Sequence, residues 1–341
     1  MGNLTVKLPG PKGFWDILKQ VSLRDISQEA AHPLNIALVG TPAGRENAMS
    51  ILTAGGKTSA LPVRDAPVIK NYDSMNMEEG FPKQADYYDF IIDLGAGREG
   101  APDGARIYSV SDLGGMEGVI ARMLSDRPEM ALALARNLTG FRDPVARDII
   151  ARTSGANAEF TLLSGLAEQV PLLGAIGLPG VAFSDIVVLT KNQVMMAMRL
   201  AAAYGLEIDY QSRLKELAPI LGNAFGWRAV ARELVGAVPV VGFLPRAAIS
   251  YAGTITCGRA LQFYYETGRQ MSPAQIRKLY KEALKGAREK VRQIASRKQK
   301  RTLARAPQAA LPPASDEDVT GSEIAEKTAL KETVNVQSPP V

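Results

Sequence analysis

The sequence predicts an α/β N-terminal domain with a short parallel sheet, joined to an all-α C-terminal domain that contains Gly/Pro-rich apolar helical hairpins. Between residues 33 and 126, short apolar strands alternate with helical patterns, which is typical of a parallel sheet. After residue 127 the apolar periodicity becomes helical. Since the chain has 341 residues, of which 46% are hydrophobic, it is long enough for two domains.

Shifts in composition divide the chain into five segments. We expect an N-terminal amphipathic helix in 1–32, the α/β domain in 33–126 and the helical domain in 127–270. A Ser-Pro-x-Gln capping box then opens a long basic helix in 271–305. The acidic, Pro/Ala-rich residues 306–341 are predicted to be disordered, because they contain few large apolar side chains.

Within the α/β domain, strands are expected at residues 34–39, at 89–95 and inside 105–115. Helices are expected at 46–53 and at 116–124, after the first and the third of these strands. With three predicted strands, the sheet is short.

A single cysteine, Cys257, and a single histidine, His32, limit the chemistry of the chain. They exclude a disulfide framework and a Cys/His zinc cluster, and His32 has no partner motif for acid–base catalysis. We therefore expect no metal site. Because the first apolar run is too short for a signal peptide, we expect the protein on the cytoplasmic side of the inner or plasma membrane, or in the cytoplasm.

The net charge of +5 is unevenly distributed. Residues 277–305 contain twelve Lys/Arg against Glu282 and Glu289. Such a helix is expected to face anionic lipid, where each well-placed cation contributes about 1 kcal/mol. A solvated helix is the alternative, and no nucleic-acid partner is expected because Tyr280 is the one aromatic residue among these cations.

The stretch LNIALVGTPAGRENAMSIL opens like a nucleotide-binding domain, with a strand, Gly40, a loop and a helix. A P-loop needs Gly-rich amides around the phosphates, a Lys for the β/γ oxygens and a Ser/Thr for magnesium. Here Arg45, Glu46 and Asn47 occupy the positions of Gly, Lys and Ser/Thr. With a loop one residue shorter, Gly44 and Arg45 take the Gly and Lys positions and Glu46 replaces the hydroxyl.

In either register a carboxylate lies where polyphosphate would bind. Two like charges about 4 Å apart repel each other by roughly 4 kcal/mol at an effective dielectric near 20. Asp93 ends a predicted strand as a Walker-B-like residue does, but the chain has no Asn-Lys-x-Asp motif. We interpret Gly40, Gly44, Arg45 and Asp93 as a vestigial nucleotide site and do not expect GTP as a cofactor. Another ligand at the strand ends is an alternative.

Longer motifs resemble a known family. The stretches FSDIVVLTKNQVMMAMRLAAAYGLEID, LVGAVPVVGFLP and GRALQFYYETG are similar to the YcjF-type C-terminal domain of unknown function in bacterial Era-like GTPase-related proteins. FWDILKQVSLRDISQEA resembles the lead-in of the same proteins. The likeness covers roughly residues 140–268 well and 10–125 loosely. It implies a degenerate P-loop GTPase-like domain and a helical, Gly-rich domain associated with the inner membrane.

Two uncharged stretches, 170–183 and 234–245, precede apolar helices that are expected to end at Gly205 and Gly268. Neither stretch reaches the 18 residues of a spanning helix, so we expect hairpins that contact a membrane or another copy of the chain. A soluble, tightly packed helical core is the alternative. The expected contact residues are Val170, Leu173, Ile176, Phe183, Val240, Phe243 and Leu244.

The helix after the first stretch leaves only a narrow polar stripe through Asn192 and Arg199. A helix that is apolar almost all round is either buried or faces lipid. We interpret this pattern as membrane contact.

These patterns predict a non-catalytic, membrane-associated scaffold or recruitment protein with a pseudo-GTPase domain and an unidentified protein partner. The first alternative is a divergent GTPase that couples its nucleotide state to the helical domain. The second is a soluble helical adaptor.

Overall fold

The fold is taken from a computed structural model that describes most of the chain. The described residues are 23–54, 68–167, 181–209, 213 and 243–305. Contacts divide the chain into residues 1–297 and residues 298–341. The predicted tail at 306–341, and the part of the predicted N-terminal helix before residue 23, lie outside the described residues.

The described residues form four strands and eight α-helices. The strands are β1 (Asn35–Val39), β2 (Val68–Tyr72), β3 (Phe90–Asp93) and β4 (Ile107–Ser109). The helices are α1 (Arg24–Ala30), α2 (Pro42–Leu52), α3 (Met116–Asp126), α4 (Ala131–Asn137), α5 (Arg142–Ala167), α6 (Val181–Ala203), α7 (Phe243–Thr267) and α8 (Pro273–Arg305). The α/β region and the helical part that the sequence predicts are therefore both present.

The strands form one parallel sheet in the order β2-β1-β3-β4. Its register aligns the carboxyl ends, because Val39 lies opposite Tyr72 of β2 and Asp93 of β3, and Asp93 lies opposite Ser109 of β4. This is the order of the first four strands in flavodoxin-type sheets, whose ligands bind where the order reverses. In this chain that point lies between β1 and β3.

The sequence does not predict β2, because its pattern is not that of a buried strand. Its residues are all exposed or half-buried, and Val68 is 48% exposed. β2 lies at an edge of the described sheet, where a charged residue such as Lys70 is common. An edge strand of this kind has too few apolar residues to be recognised by periodicity.

One apolar core covers a face of the sheet and continues into the helices. Its members include Ile36, Leu38, Phe90 and Ile92 from the sheet and Leu134, Ile150, Met196 and Leu200 from the helices. A smaller cluster on the opposite face includes Val39, Phe81, Tyr88 and Ile91. Among the described residues, the main core therefore has members on both sides of the predicted boundary at 126/127.

Helices α5, α6 and α7 form a bundle in which α5 runs antiparallel to the other two. Gln262 of α7 donates to Asp143 at 3.0 Å, and Asn157 of α5 donates to Thr254 of α7 at 2.9 Å. Asn192 of α6 donates to Asn157 at 2.7 Å. The C-terminal end of α5 and the N-terminal ends of α6 and α7 therefore lie at the same end of the bundle.

The predicted ends of three helices are confirmed. Gly205 and Gly268 follow α6 and α7 with φ angles of 79° and 68°, which favour glycine after a helix. At the start of α8, Gln275 N–H donates to Ser272 Oγ at 3.3 Å and Ser272 N–H donates to Gln275 Oε1 at 2.8 Å. This reciprocal pair is the predicted capping box.

Candidate functional site

The connection between β1 and α2 is shorter than the sequence predicts. Helix α2 begins at Pro42, four residues before the expected start, and Thr41 Oγ1 accepts a hydrogen bond from Gly44 N–H at 3.2 Å. Thr-Pro is a sequence signal for an N-cap followed by the first helical residue, which the prediction missed. Gly44 and Arg45 therefore lie in the first turn of a helix, and Gly40 and Thr41 alone connect it to β1.

Arg45 lies at the carboxyl ends of β1 and β2. Its Nη1 donates to the carbonyl of Gly40, to the carbonyl of Tyr72 at 2.8 Å and to Asp73 Oδ1 at 2.6 Å. The Arg45 side chain is 16% exposed, whereas that of Asp73 is 82% exposed. Arg45 thus stabilises the ends of two strands by donating to backbone carbonyls.

Gly40 brings β1 close to the residue after β3. Its φ is 147°, and a Cβ at this position would lie 2.9 Å from Leu94 Cβ. Glycine is thus needed here because the ends of β1 and β3 pack closely. This packing gives a structural reason for Gly40, which the sequence analysis interpreted as part of a vestigial nucleotide site.

Asp93 is the last residue of β3 and is 3% exposed. Its Oδ1 accepts hydrogen bonds from the backbone N–H groups of Gly95 at 3.0 Å, Ala96 at 2.9 Å and Gly97 at 3.3 Å. The carboxylate therefore holds the turn that follows its own strand. A Walker-B-like aspartate would instead point at a magnesium ion.

Gly40 and Asp93 lie at the carboxyl ends of the adjacent strands β1 and β3. Gly44 and Arg45 lie in the first turn of α2, which follows β1. The polar groups of Arg45 and Asp93 bond to nearby backbone. In the part of the chain that the structure describes, no group of three or more His, Cys, Asp or Glu side chains is arranged to hold a metal. The predicted vestigial residues thus have local structural roles in this geometry.

A second candidate site is the outer face of α8. Within residues 273–297 of this helix, where side chains are described, eight basic residues are exposed, against the two exposed acids Glu282 and Glu289. They are Arg277, Lys278, Lys281, Lys285, Arg288, Lys290, Arg292 and Arg297. Among the described residues, the ion pairs lie outside α8. We call this row of cations the α8 basic face.

The opposite side of α8 is anchored in a core. Tyr280, Ala287 and Val291 are at most 1% exposed and belong to a cluster with residues of α5 and α7. The other buried members are Ala158, Leu162, Ala247, Ala248, Tyr251 and Ala252. This anchoring fixes the rotation of α8 and keeps its cations in the solvent.

The predicted membrane or partner residues fall into two groups. Four of them, Val170, Leu173, Ile176 and Val240, lie outside the described residues. Phe183 belongs to α6 and Phe243 begins α7, while Leu244 is 37% exposed. Within the described ranges, none of the helices combines the length and the apolar character needed to cross a bilayer.

The apolar character of α6 is explained by burial. Most residues of its C-terminal half, including Met196, Met198 and Leu200, are buried in the main core, and the others are half-buried. The polar stripe pairs within the protein: Asn192 bonds to Asn157, and Arg199 binds Glu29 of α1 through two hydrogen bonds of 2.6 and 3.0 Å. For this half of α6 the interpretation as a lipid-facing surface is wrong, because the polar stripe joins helices of the protein.

A cleft of about 670 Å³ lies between α1, α3, α4 and α5. Its lining includes the buried apolar residues Leu132, Val145 and Ile149. Charged residues at the cleft pair with one another, as Arg199 does with Glu29 and Arg152 with Asp148. The cleft therefore presents paired charges over an apolar floor.

Two buried groups have strongly shifted acidity. Burial raises the pKa of the Cys257 thiol to about 12. Burial, together with donation of its hydroxyl to Glu266 at 2.6 Å, raises the pKa of Tyr204. Both residues lie in the helical core, so these shifts reflect packing.

Comparison of the chain with models of protein families, with curated proteins and with solved structures finds no match. The resemblance to Era-like GTPase-related proteins therefore stays a prediction.

Proposed function

We propose that this chain is a non-catalytic scaffold or recruitment protein that binds the anionic cytoplasmic surface of a membrane through the α8 basic face. The observation that carries the proposal is the row of eight exposed cations opposed by two exposed acids on one helix. Near an anionic leaflet each well-placed cation contributes about 1 kcal/mol, so several acting together are sufficient for stable attachment.

The anchoring of α8 supports this role. Because Tyr280 and Val291 are buried in a core with α5 and α7, the cations have a fixed direction relative to the rest of residues 1–297. A surface of fixed direction orients whatever else the protein binds. That is the property required of a scaffold at a membrane.

Lipid is favoured over nucleic acid by the residues between the cations. Tyr280, the one aromatic residue of this helix, is 1% exposed. The exposed face therefore has no aromatic ring on which a base could stack, and stacking is the usual complement to charge in single-strand binding.

The α/β region fits the proposal as a degenerate P-loop GTPase-like domain without a nucleotide function. A divergent GTPase would need a phosphate cradle between β1 and α2, where Gly40 and Thr41 are the connecting residues. It would also need a cation directed at phosphate, and Arg45 bonds to the carbonyls of Gly40 and Tyr72.

Sedimentation of the full chain with vesicles tests the proposal. We expect binding to vesicles of phosphatidylglycerol and phosphatidylcholine, none to phosphatidylcholine alone, and a loss of most binding at about 0.5 M salt, where screening is strong. A chain that stays in the supernatant with every vesicle would favour the soluble adaptor. Duplex or single-stranded DNA that displaces the vesicles at stoichiometric concentration would indicate a nucleic-acid surface instead.

A further inference from the structure

We infer that one end of the α5–α6–α7 bundle enters the lipid surface to which the α8 basic face binds, so that the membrane contact has an apolar part beside its charged part. The apolar part consists of Leu163 near the end of α5 and Leu244 at the start of α7, and we call it the bundle end. This inference rests on the proposed function and adds an orientation and an insertion point to it.

The topology of the bundle places these two leucines together. The hydrogen bonds from Gln262 to Asp143 and from Asn157 to Thr254 fix α5 and α7 as antiparallel neighbours. Leu162, which precedes Leu163, and Ala247, about one helical turn after Leu244, belong to one apolar cluster. Leu163 and Leu244 therefore lie at the same end of the bundle although they are far apart in sequence.

Both leucines are accessible. Leu163 is 43% exposed and Leu244 is 37% exposed. The other large hydrophobic residues exposed in the described structure, Val68, Met77 and Tyr87, are in the α/β region. Among the described residues of the helical part, exposure of large hydrophobic side chains is thus confined to the bundle end.

One apolar cluster links α8 to the two helices that form the bundle end. Val291 belongs to the same cluster as Leu162 and Ala247. The exposed residues Arg288, Lys290 and Arg292 surround Val291 in sequence, within one turn of α8. Exposed leucines and exposed cations on helices that share a core match a bilayer of anionic lipid, which offers phosphate at its surface and hydrocarbon directly beneath.

The connectivity of the chain agrees with this orientation. The sequence between α5 and α6 and the sequence that leads into α7 both join the described structure at the bundle end. These connections contain most of the two uncharged stretches, 170–183 and 234–245, whose last residues begin α6 and α7. No charged residue within either stretch therefore opposes approach of this end to lipid.

The first test compares two pairs of serine substitutions in the full chain. Leu163→Ser combined with Leu244→Ser should weaken binding to phosphatidylglycerol-containing vesicles about tenfold, since it removes partly exposed leucines from the contact. Val68→Ser combined with Tyr87→Ser removes two exposed hydrophobic residues from the α/β region and should leave the affinity unchanged. All four sites are exposed, so a matching thermal unfolding curve confirms that each variant is folded.

The second test places a probe at the bundle end. The natural thiol at Cys257 is buried, so a Leu244→Cys variant can be labelled selectively with an environment-sensitive fluorophore, and Tyr87→Cys serves as its control. We expect a blue shift and quenching by lipid-borne quenchers at position 244 and no change at position 87. Vesicle binding with no difference between the two probes would overturn the inference and leave the proposed function intact. Absence of binding to any vesicle would overturn both.

Discussion

The carboxyl edge of the sheet and the outer face of α8 use charged residues in opposite ways. At the sheet edge, Arg45 and Asp93 bond to nearby backbone groups and hold strand ends and a turn in place. On α8, eight cations are exposed on a helix whose other side is buried. Sequence motifs suggest a ligand at the carboxyl ends of the strands, whereas the row of exposed Lys and Arg side chains is on α8.

The two regions differ in whether their polar groups are already hydrogen-bonded within the protein. A strand followed by glycine and a helix is compatible with a nucleotide-binding ancestor, but a ligand requires donors that are not already satisfied. The α8 basic face meets that requirement without matching any specific motif. Substitutions in each region test this difference.

The first prediction concerns the cations of α8. Replacing Lys281, Lys285, Arg288 and Arg292 by Gln removes four charges from one side of the helix and should weaken vesicle binding by about 4 kcal/mol, roughly a thousandfold. Sedimentation or surface plasmon resonance on anionic vesicles measures the effect.

A matched control removes the same number of charges from the α/β region. The exposed residues Lys70, Lys83, Arg98 and Arg122 are replaced by Gln. This variant should bind within about threefold of the wild type, because only distant electrostatics change. If the two variants lose affinity equally, total charge controls binding and α8 has no special role.

The second prediction concerns the packing that anchors the helical region. A Cβ at Gly258 would lie 2.6 Å from Ile150 Cγ1 and 3.1 Å from Met196 Sδ. Gly258→Val should therefore lower the free energy of unfolding by about 3 kcal/mol through overpacking. Urea denaturation measures this loss.

Gly253 is the control for that substitution. It lies in the same helix, and an added Cβ would meet no atom within 4 Å. Gly253→Ala should cost nothing and should stabilise the helix by about 0.5 kcal/mol. Equal losses in both variants would contradict the overpacking at Gly258, because Gly253→Ala raises helix propensity and meets no neighbouring atom.

The third prediction concerns Arg45. Arg45→Ala removes the donor that binds the Gly40 and Tyr72 carbonyls and should lower the free energy of unfolding by about 2 kcal/mol. Glu46 is exposed, and Glu46→Ala should change stability by less than about 0.5 kcal/mol. Equilibrium binding of GTP is measured alongside; micromolar affinity that disappears in Arg45→Ala would make the vestigial interpretation of this site wrong.

The smallest effect is expected for Cys257. Burial raises its pKa to about 12, above the value of about 8.5 for an exposed thiol. The neutral thiol contributes its full stability below the unfolded-state pKa, and this contribution is lost as the pH rises from about 8.5 toward 12. At pH 8 the native thiol should react with a thiol reagent much more slowly than in urea; equal rates would contradict its burial.

Much of the fold could be predicted from local sequence. The three predicted strands became β1, β3 and β4, because their short apolar runs are buried. The glycines after α6 and α7 and the capping box of α8 also mark helix ends through local geometry. Such features depend on a few consecutive residues, which is why the sequence reveals them.

The rest depends on contacts between distant residues. Asn192 and Arg199 form a polar stripe in sequence, but their partners Asn157 and Glu29 are known only once the helices are packed. Likewise, the basic helix is recognisable from composition, whereas the burial of Tyr280 and the resulting direction of the cations are not. The sequence could not predict in which direction these side chains point, and this limited the prediction of both candidate sites.

The central claim is that the α8 basic face binds anionic lipid and that the carboxyl ends of the strands do not. Acetylation footprinting of lysines in the full chain, read by mass spectrometry with and without phosphatidylglycerol vesicles, tests it most directly. We expect the modification rates of Lys281 and Lys285 to fall about fivefold or more on vesicles, while those of Lys70 and Lys83 stay constant. Equal protection of the two pairs, or protection of Lys70 and Lys83 alone, would contradict the claim.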